Sequence, residues 1–113
     1  STRGMINKEA FDMMKPTAIL INTSRGPIID EQALIDALTS RKINCAGLDV
    51  YEKEPIQPAN PLLKLDNCVL TDHVSWYSEE SIKELKTKAA YNIRDVLTGK
   101  IPKYLINKDV LMR

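Results

Sequence analysis

Histidine and cysteine are scarce in this sequence of 113 residues, which contains one histidine and two cysteines. A single histidine without cysteine pairs at metal-ligand spacing argues against a zinc site, so we expect no metal. Cys45 and Cys68 fall in separate apolar segments, and we expect two reduced thiols in buried strands rather than a disulfide. Reduced thiols favour a cytoplasmic protein.

Excess charge of one sign and long apolar runs are also lacking. Lys and Arg number 16 against 15 for Asp and Glu, which gives a formal net charge of +1. This balance lacks the excess of positive charge that binding to nucleic acid or an anionic membrane surface would favour. No apolar run approaches the ~20 residues of a transmembrane helix, and no signal peptide is recognisable. We therefore expect a soluble protein that recognises a small-molecule partner at a defined site.

Three short apolar segments alternate with helical patterns. The segments predict strands at 17–21, 43–50 and 67–71. The first lacks polar alternation, which is typical of a parallel strand buried on both faces. Strand, helix and strand in this order predict a right-handed crossover between parallel strands. Their carboxyl ends should therefore meet at one edge of the sheet.

The helices are marked by their capping residues. Asn7 is a good N-cap for a short helix that Pro16 ends, and Asp30 is a good N-cap for the next one. Ser78 begins a long helix that ends at 98–99. The second helix carries one apolar stripe, and the long helix carries another. These stripes are Ala33, Leu34, Ala37 and Leu38, and Ile82, Leu85, Ala89, Ile93 and Val96. One short helical turn is predicted at 61–65.

The fold class indicated is α/β, as a partial Rossmann-like, doubly wound parallel sheet of about three strands with covering helices. A complete sheet of this class has more strands and helices on both faces. The sequence contains no Gly-x-Gly-x-x-Gly turn to hold a dinucleotide pyrophosphate, and it begins at Ser1 rather than at a methionine. We expect residues 1–113 to be the C-terminal part of a dinucleotide-binding domain whose glycine-rich half is absent.

Residues suited to carbonyl chemistry follow the three predicted strands. Ligands of open α/β sheets bind outside the carboxyl ends of the strands, where Arg25, Glu54 and His73 should lie. Arg25 offers a planar fork that can hold a carboxylate, although it can also be a surface arginine before a turn. Gly26 lets the backbone turn sharply beside it. His73 can exchange a proton with a carbonyl oxygen, although a single histidine is more often structural.

The residues expected around Arg25 and His73 each allow more than one role. A carboxylate beside His73 would fix its ring, and Glu54, followed by the rigid Pro55, is favoured over Glu52 for this position. Asp49 either accepts a hydrogen bond from a nicotinamide carboxamide or only caps backbone amides. Trp76, with its neighbour Tyr77, either forms a wall of the pocket or anchors the long helix to the sheet.

At these residues the chain closely resembles the NAD-binding domain of the D-isomer-specific 2-hydroxyacid dehydrogenases. This family includes phosphoglycerate dehydrogenase, hydroxypyruvate reductase, D-lactate dehydrogenase and the C-terminal-binding-protein corepressors. The resemblance covers nearly the whole chain. It rests on Asn-Thr-Ser-Arg-Gly at 22–26, Gly-Leu-Asp-Val-Tyr-Glu-Lys-Glu-Pro at 47–55 and the later His73, in family order and spacing.

The resemblance implies an oxidoreductase that transfers a hydride between a nicotinamide cofactor and a D-2-hydroxy acid or 2-keto acid. Arg25 would bind the substrate carboxylate and keto group, Glu54 would pair with His73, and His73 would be the general acid and base. The residues implied to contact NAD are Thr23, Ser24, Arg25, Asp49, His73 and Trp76. The ribose-reading residue lies upstream, so NADP is not excluded. A homodimer is also implied.

The chain departs from the family pattern in two places, and both departures bear on activity. Asp72 stands where the family usually has proline, which adds a negative charge beside the imidazole and predicts a shifted pH profile. Residues 76–78 replace a frequent Gly-Gly pair, which disfavours phosphoglycerate as the substrate. Without the substrate domain and the glycine-rich half, we expect the isolated chain to be inactive. The alternative is a non-catalytic NADH-sensing or dimerisation module that resembles the corepressors.

Overall fold

The computed structural model describes residues 2–109. Within this range the chain forms two compact units, the first ending at Ser75 and the second beginning at Trp76. The first unit contains the sheet, and the second contains the long helix. Each unit is described by itself.

The first unit is built around a three-stranded parallel sheet. In chain order its elements are α1 (Lys8–Met13), β1 (Ile19–Asn22), α2 (Glu31–Thr39), β2 (Cys45–Leu48) and β3 (Cys68–Leu70), with short 3-10 helices at Gly26–Ile28 and Pro61–Lys64. The strand order is β1-β2-β3, and both pairings are parallel. The predicted parallel sheet and the short turn near 61–65 are therefore confirmed, although each strand is shorter than its apolar segment.

Side-chain caps begin both helices where the sequence predicts. The Asn7 side chain accepts a hydrogen bond from the Ala10 N–H, and the Asp30 side chain accepts one from the Ala33 N–H. These bonds satisfy backbone donors that the first turn of a helix leaves without partners. The apolar stripe of α2 then packs into the core, where Leu34 and Leu38 are almost fully buried.

The sheet is buried on one face only, which corrects the prediction for β1. Ala46 and Leu48 point into the core shared with α2, whereas Ile19, Ile21 and Val69 are 61%, 71% and 70% exposed. Successive side chains of a strand point to opposite faces. Because the buried residues of α1 and α2 join the core on the Ala46–Leu48 face, the alternate residues remain exposed.

Both cysteines have free thiols, as predicted, and both are partly rather than fully buried. Burial raises the pKa of the Cys68 thiol to about 11, with a smaller contribution from Cys45. A thiol with a raised pKa is predominantly protonated at neutral pH and is a weak nucleophile. The structure therefore gives Cys68 the character of a small apolar residue of the sheet.

The second unit is dominated by α3 (Glu79–Leu97). Ser78 caps it in a reciprocal arrangement with Ser81, and the helix ends at Thr98 before Gly99, whose φ is +72°. None of its described residues is buried, and its predicted apolar face presents Leu85, Ile93 and Val96 to solvent. Across residues 2–109, no helix combines the length and the apolar character needed to cross a membrane.

Candidate active site

The turn after β1 is built by the side chain of Asn22, which is 7% exposed. Its amide donates a hydrogen bond to the Arg25 carbonyl oxygen over 3.1 Å, and its oxygen accepts one from the Ser24 N–H over 3.0 Å. Such a side-chain-to-backbone pair fixes a tight turn. Thr23, Ser24 and Arg25 are consequently held on an exposed loop at the carboxyl end of β1.

Gly26 is required in this turn because of a close approach rather than unusual dihedral angles. A Cβ atom at this position would lie 1.8 Å from the carbonyl oxygen of Tyr51. Its φ is not in the positive range, whereas Gly4 and Gly99 do have positive φ. The sequence predicted that Gly26 allows a sharp backbone turn. The structure shows instead that a side chain has no space there, because the turn after β1 packs directly on the loop after β2.

A histidine–glutamate pair joins the loops after β2 and β3. His73 Nδ1 lies 2.8 Å from Glu54 Oε2, and the two side chains are 41% and 37% exposed. The other carboxylate oxygen of Glu54 accepts a hydrogen bond from the Tyr51 N–H over 3.1 Å. Glu52 is directed elsewhere and forms an ion pair with Arg3. Of the two rival carboxylates, Glu54 is thus the one that contacts the imidazole.

The electrostatic setting of Glu54 favours its charged form. The hydrogen bond to His73 has the largest effect and lowers the pKa of this carboxyl, followed by the Tyr51 N–H, while the positive charge of Arg25 contributes less. The guanidinium of Arg25 itself donates a hydrogen bond to the Ser24 carbonyl oxygen over 2.7 Å. The structure therefore brings Glu54 and His73 into contact and places Arg25 on the loop after β1, at the same edge of the sheet.

The lowered pKa of Glu54 predicts a specific dependence of stability on pH. Because its folded-state pKa lies below its unfolded value, the ionised carboxylate stabilises the fold at neutral pH, and this contribution is lost as the pH falls through the folded-state pKa. Glu54→Gln should therefore flatten the decrease in free energy of unfolding between about pH 6 and about pH 3. Urea unfolding at several pH values measures this effect.

Glu52→Gln supplies the matched control, since it removes a carboxylate from the same loop that pairs with Arg3 rather than with His73. Glu54→Gln should change the pH dependence more than Glu52→Gln does. Equal profiles for the two variants would contradict the pairing of Glu54 with the imidazole in solution.

The loop that carries His73 is held by Asp49, which is 3% exposed. One oxygen of Asp49 accepts hydrogen bonds from the Thr71 hydroxyl and the Val74 N–H, and the other accepts one from the Ser75 N–H. His73 has a φ of +52°, a conformation that is strained for a residue with a Cβ. Bonds on both sides of His73 therefore maintain its backbone in this conformation.

Burial raises the pKa of Asp49, but the hydrogen bonds from Thr71, Ser75 and Val74 outweigh it and hold the pKa well below its usual range. Asp49 is therefore ionised at neutral pH. Both of its oxygens accept hydrogen bonds from the protein, which corresponds to the predicted alternative of a carboxylate that caps backbone amides. A contact of Asp49 with a nicotinamide carboxamide stays a prediction.

Trp76 belongs to the second unit, where its ring makes an edge-to-face contact with Tyr77. Both side chains are more than half exposed. The predicted contact of Trp76 with a cofactor, like its alternative role as a helix anchor, therefore stays a prediction. Among residues 2–109, no group of three or more His, Cys, Asp or Glu side chains is arranged to hold a metal ion.

Tyr51 and Thr71 form a contact beside the candidate site that the sequence did not reveal. The Tyr51 hydroxyl donates a hydrogen bond to the Thr71 carbonyl oxygen over 2.6 Å and so connects the loops after β2 and β3. A tyrosine that follows a strand gives no sign in the local sequence of the residue to which its hydroxyl will bond. Only the parallel pairing of β2 with β3 brings the two residues together.

The chain is similar in sequence and in fold to known proteins. The family model for the NAD-binding domain of D-isomer-specific 2-hydroxyacid dehydrogenases matches residues 1–75. A hydroxypyruvate reductase of Blautia hydrogenotrophica is 48% identical over 95% of this chain, and the match covers 33% of that protein. The chain spans about a third of the length of the curated relatives it matches.

Solved structures agree with the sequence matches. The crystal structure of D-lactate dehydrogenase with NAD+ from Lactobacillus jensenii is similar over 94% of this chain and 36% of its own, with 28% identity and a TM-score of 0.85. An acyclic imino acid reductase in complex with NADPH and D-Arg is similar over 93% of this chain and 33% of its own, with 38% identity and a TM-score of 0.82. These neighbours include proteins with either form of the nicotinamide cofactor.

Proposed function

Because this chain belongs to the D-isomer-specific 2-hydroxyacid dehydrogenase family, we propose that it forms the nicotinamide-proximal part of an oxidoreductase that interconverts 2-keto acids and D-2-hydroxy acids. The observation that carries the proposal is the 2.8 Å contact between His73 and Glu54, at the sheet edge where Arg25 follows β1. A paired imidazole and a guanidinium fork are the groups that reduction of a 2-keto acid requires.

The residues at the carboxyl edge of the sheet suit the nicotinamide half of NAD or NADP. Thr23 and Ser24 offer exposed hydroxyl and backbone groups after β1, and His73 stands after β3. The bound cofactor supplies the hydride for the carbonyl carbon. The glycine-rich turn that would hold the pyrophosphate is absent from residues 1–113. The proposed cofactor is therefore NAD or NADP.

Each catalytic residue has a distinct task in the proposed reaction. Arg25 holds the substrate carboxylate and polarises the keto group. Glu54 accepts a hydrogen bond from His73 Nδ1–H, so that Nε2 is the nitrogen that donates a proton to the carbonyl oxygen during reduction and accepts it during oxidation. Glu54 also stabilises the imidazolium form, because its carboxylate is ionised.

We also propose that the complete protein is a cytoplasmic homodimer that acts on a small-molecule acid and binds neither nucleic acid nor membrane. The near-neutral charge of this chain supports the exclusion of polyanionic partners. The homodimer rests on the family resemblance. Light scattering of the complete protein tests it.

A hybrid enzyme tests the proposed function. This chain would replace the aligned third of the Blautia hydroxypyruvate reductase, and the hybrid would be assayed with glyoxylate, hydroxypyruvate and pyruvate, each with NADH and NADPH. We expect reduction of at least one 2-keto acid. Hydroxyacetone, in which a methyl group replaces the carboxylate of hydroxypyruvate, should have a kcat/KM at least ~100-fold lower because Arg25 has no carboxylate to bind.

A soluble hybrid that binds cofactor but reduces no 2-keto acid would contradict the proposal and support the non-catalytic module. Equal activity on hydroxypyruvate and hydroxyacetone would contradict the task assigned to Arg25. A 2-keto acid supplied together with ammonia, with which it condenses to an imino acid and releases water, tests imine reduction, as performed by the structural neighbour that is an imino acid reductase.

A further inference from the structure

Tyr51 contacts all three loops of the candidate site. Its N–H donates to Glu54 Oε1 over 3.1 Å, and its hydroxyl donates to the Thr71 carbonyl oxygen over 2.6 Å. Its own carbonyl packs against Gly26, the neighbour of Arg25, so closely that no Cβ fits there. Its side chain is 6% exposed and belongs to the core cluster.

We propose that Tyr51 is a positioning residue whose hydroxyl sets the orientation of His73 relative to Glu54. The catalytic consequence rests on the proposed function, but the geometric claim does not. Tyr51 holds Glu54 through its backbone and holds the His73 loop through its side chain. Glu54 and the His73 loop are thus both hydrogen-bonded to one residue, whose ring is buried in the core.

The rigidity of the connection supports this role. A tyrosine side chain has two rotatable torsions before the hydroxyl, and burial of the ring restricts both. Thr71 is two residues before His73, so a displacement of its carbonyl moves the strained backbone at His73. Asp49 attaches the same loop to the end of β2, whereas Tyr51 bonds both to this loop and to Glu54.

The electrostatic surroundings keep the hydroxyl in its donor form. Burial has the largest effect and raises the pKa of Tyr51, and the negative charges of Asp49, Asp72 and Glu54 act in the same direction. A protonated hydroxyl is required because the Thr71 carbonyl can only accept a hydrogen bond. Without this donor, the Thr71 carbonyl oxygen would have to accept a hydrogen bond from water instead, and the loop would lose one of the bonds that hold it in place.

The single histidine of the chain makes the geometric claim directly measurable. In the 113-residue chain labelled with ¹⁵N-histidine, the shifts and long-range couplings of the ring nitrogens report which nitrogen of the neutral imidazole carries the proton. Wild type should hold the Nδ1–H tautomer, because Nδ1 faces a carboxylate oxygen. Tyr51→Phe should lose this preference, as Glu54→Gln should, since the ring and carboxylate are no longer aligned.

Tyr91→Phe is the matched control, because it removes a tyrosine hydroxyl from an exposed position on α3. It should give the wild-type histidine spectrum. A wild-type spectrum for Tyr51→Phe would overturn the proposal. Loss of the folded amide spectrum in Tyr51→Phe would also overturn it, because the hydroxyl would then maintain the fold rather than orient the pair.

The hybrid enzyme separates this inference from the proposed function. If both hold, Tyr51→Phe in the hybrid should lower kcat by about 10-fold and leave the KM for the cofactor nearly unchanged, because misplacement of a proton donor affects the chemical step. An unchanged kcat would overturn the catalytic consequence. If the tautomer changes as expected but no hybrid reduces a 2-keto acid, the positioning role stands and the proposed function fails.

Discussion

His73→Gln in the hybrid enzyme should lower kcat for 2-keto acid reduction by about 10² to 10⁴-fold, because the proton donor for the carbonyl oxygen is lost. Glutamine retains a polar side chain of similar length and removes only the acid–base function. Cofactor affinity should change less than about twofold, since binding does not require proton transfer. Steady-state kinetics and cofactor titration by fluorescence measure the two quantities separately.

Glu54→Gln and Glu52→Gln complete this comparison. The first removes the charge that contacts the imidazole and should lower kcat, whereas the second alters a carboxylate that pairs with Arg3 and should leave kcat near wild type. A loss of cofactor binding in His73→Gln, with kcat preserved at saturation, would indicate that His73 binds the cofactor instead of transferring a proton.

Gly26→Ala should destabilise the fold by at least ~3 kcal/mol, at or beyond the upper end of ordinary overpacking. Its Cβ would lie 1.8 Å from the Tyr51 carbonyl oxygen, 1.9 Å from the Tyr51 carbonyl carbon and 2.6 Å from the Glu52 N. All three are backbone atoms, so no side-chain rotation relieves the clash. The loops after β1 and β2 would have to separate, which would also move Arg25 away from Glu54.

Gly47→Ala provides a control in the same unit, because the nearest atom to its Cβ would be Ile21 Cγ1 at 3.9 Å. This is ordinary van der Waals contact, and the variant should unfold at nearly the wild-type urea concentration. Urea unfolding of the 113-residue chain measures both. A Gly26→Ala variant as stable as Gly47→Ala would show that the loops after β1 and β2 do not pack closely in solution.

The elements that could be predicted from the sequence depend on neighbouring residues. Asn7, Asp30 and Ser78 cap the helices they were expected to cap, because a cap bonds to backbone groups two or three residues away. The parallel sheet followed from apolar segments separated by a helix. The placement of Arg25, Glu54 and His73 at one edge then followed from the direction of the strands.

The features that sequence reasoning missed depend on contacts between distant segments. Ile19 and Ile21 are exposed because no described helix of this unit packs on their face of the sheet. The apolar sequence of a strand does not determine which of its faces a helix will cover. The packing of Gly26 under Tyr51 is set by the pairing of β1 with β2. The bond from Tyr51 to Thr71 is set in the same way by β2 and β3.

A crystal structure of the hybrid with nicotinamide cofactor and oxamate, a 2-keto acid analogue that cannot be reduced, tests the proposed chemistry most directly. The oxamate carboxylate should bind the Arg25 guanidinium, and its carbonyl oxygen should lie within hydrogen-bond distance of His73 Nε2, with Nδ1 still bonded to Glu54. Oxamate bound away from Arg25 and His73, or Glu54 turned away from the imidazole, would contradict the assignment of these three residues to 2-keto acid reduction.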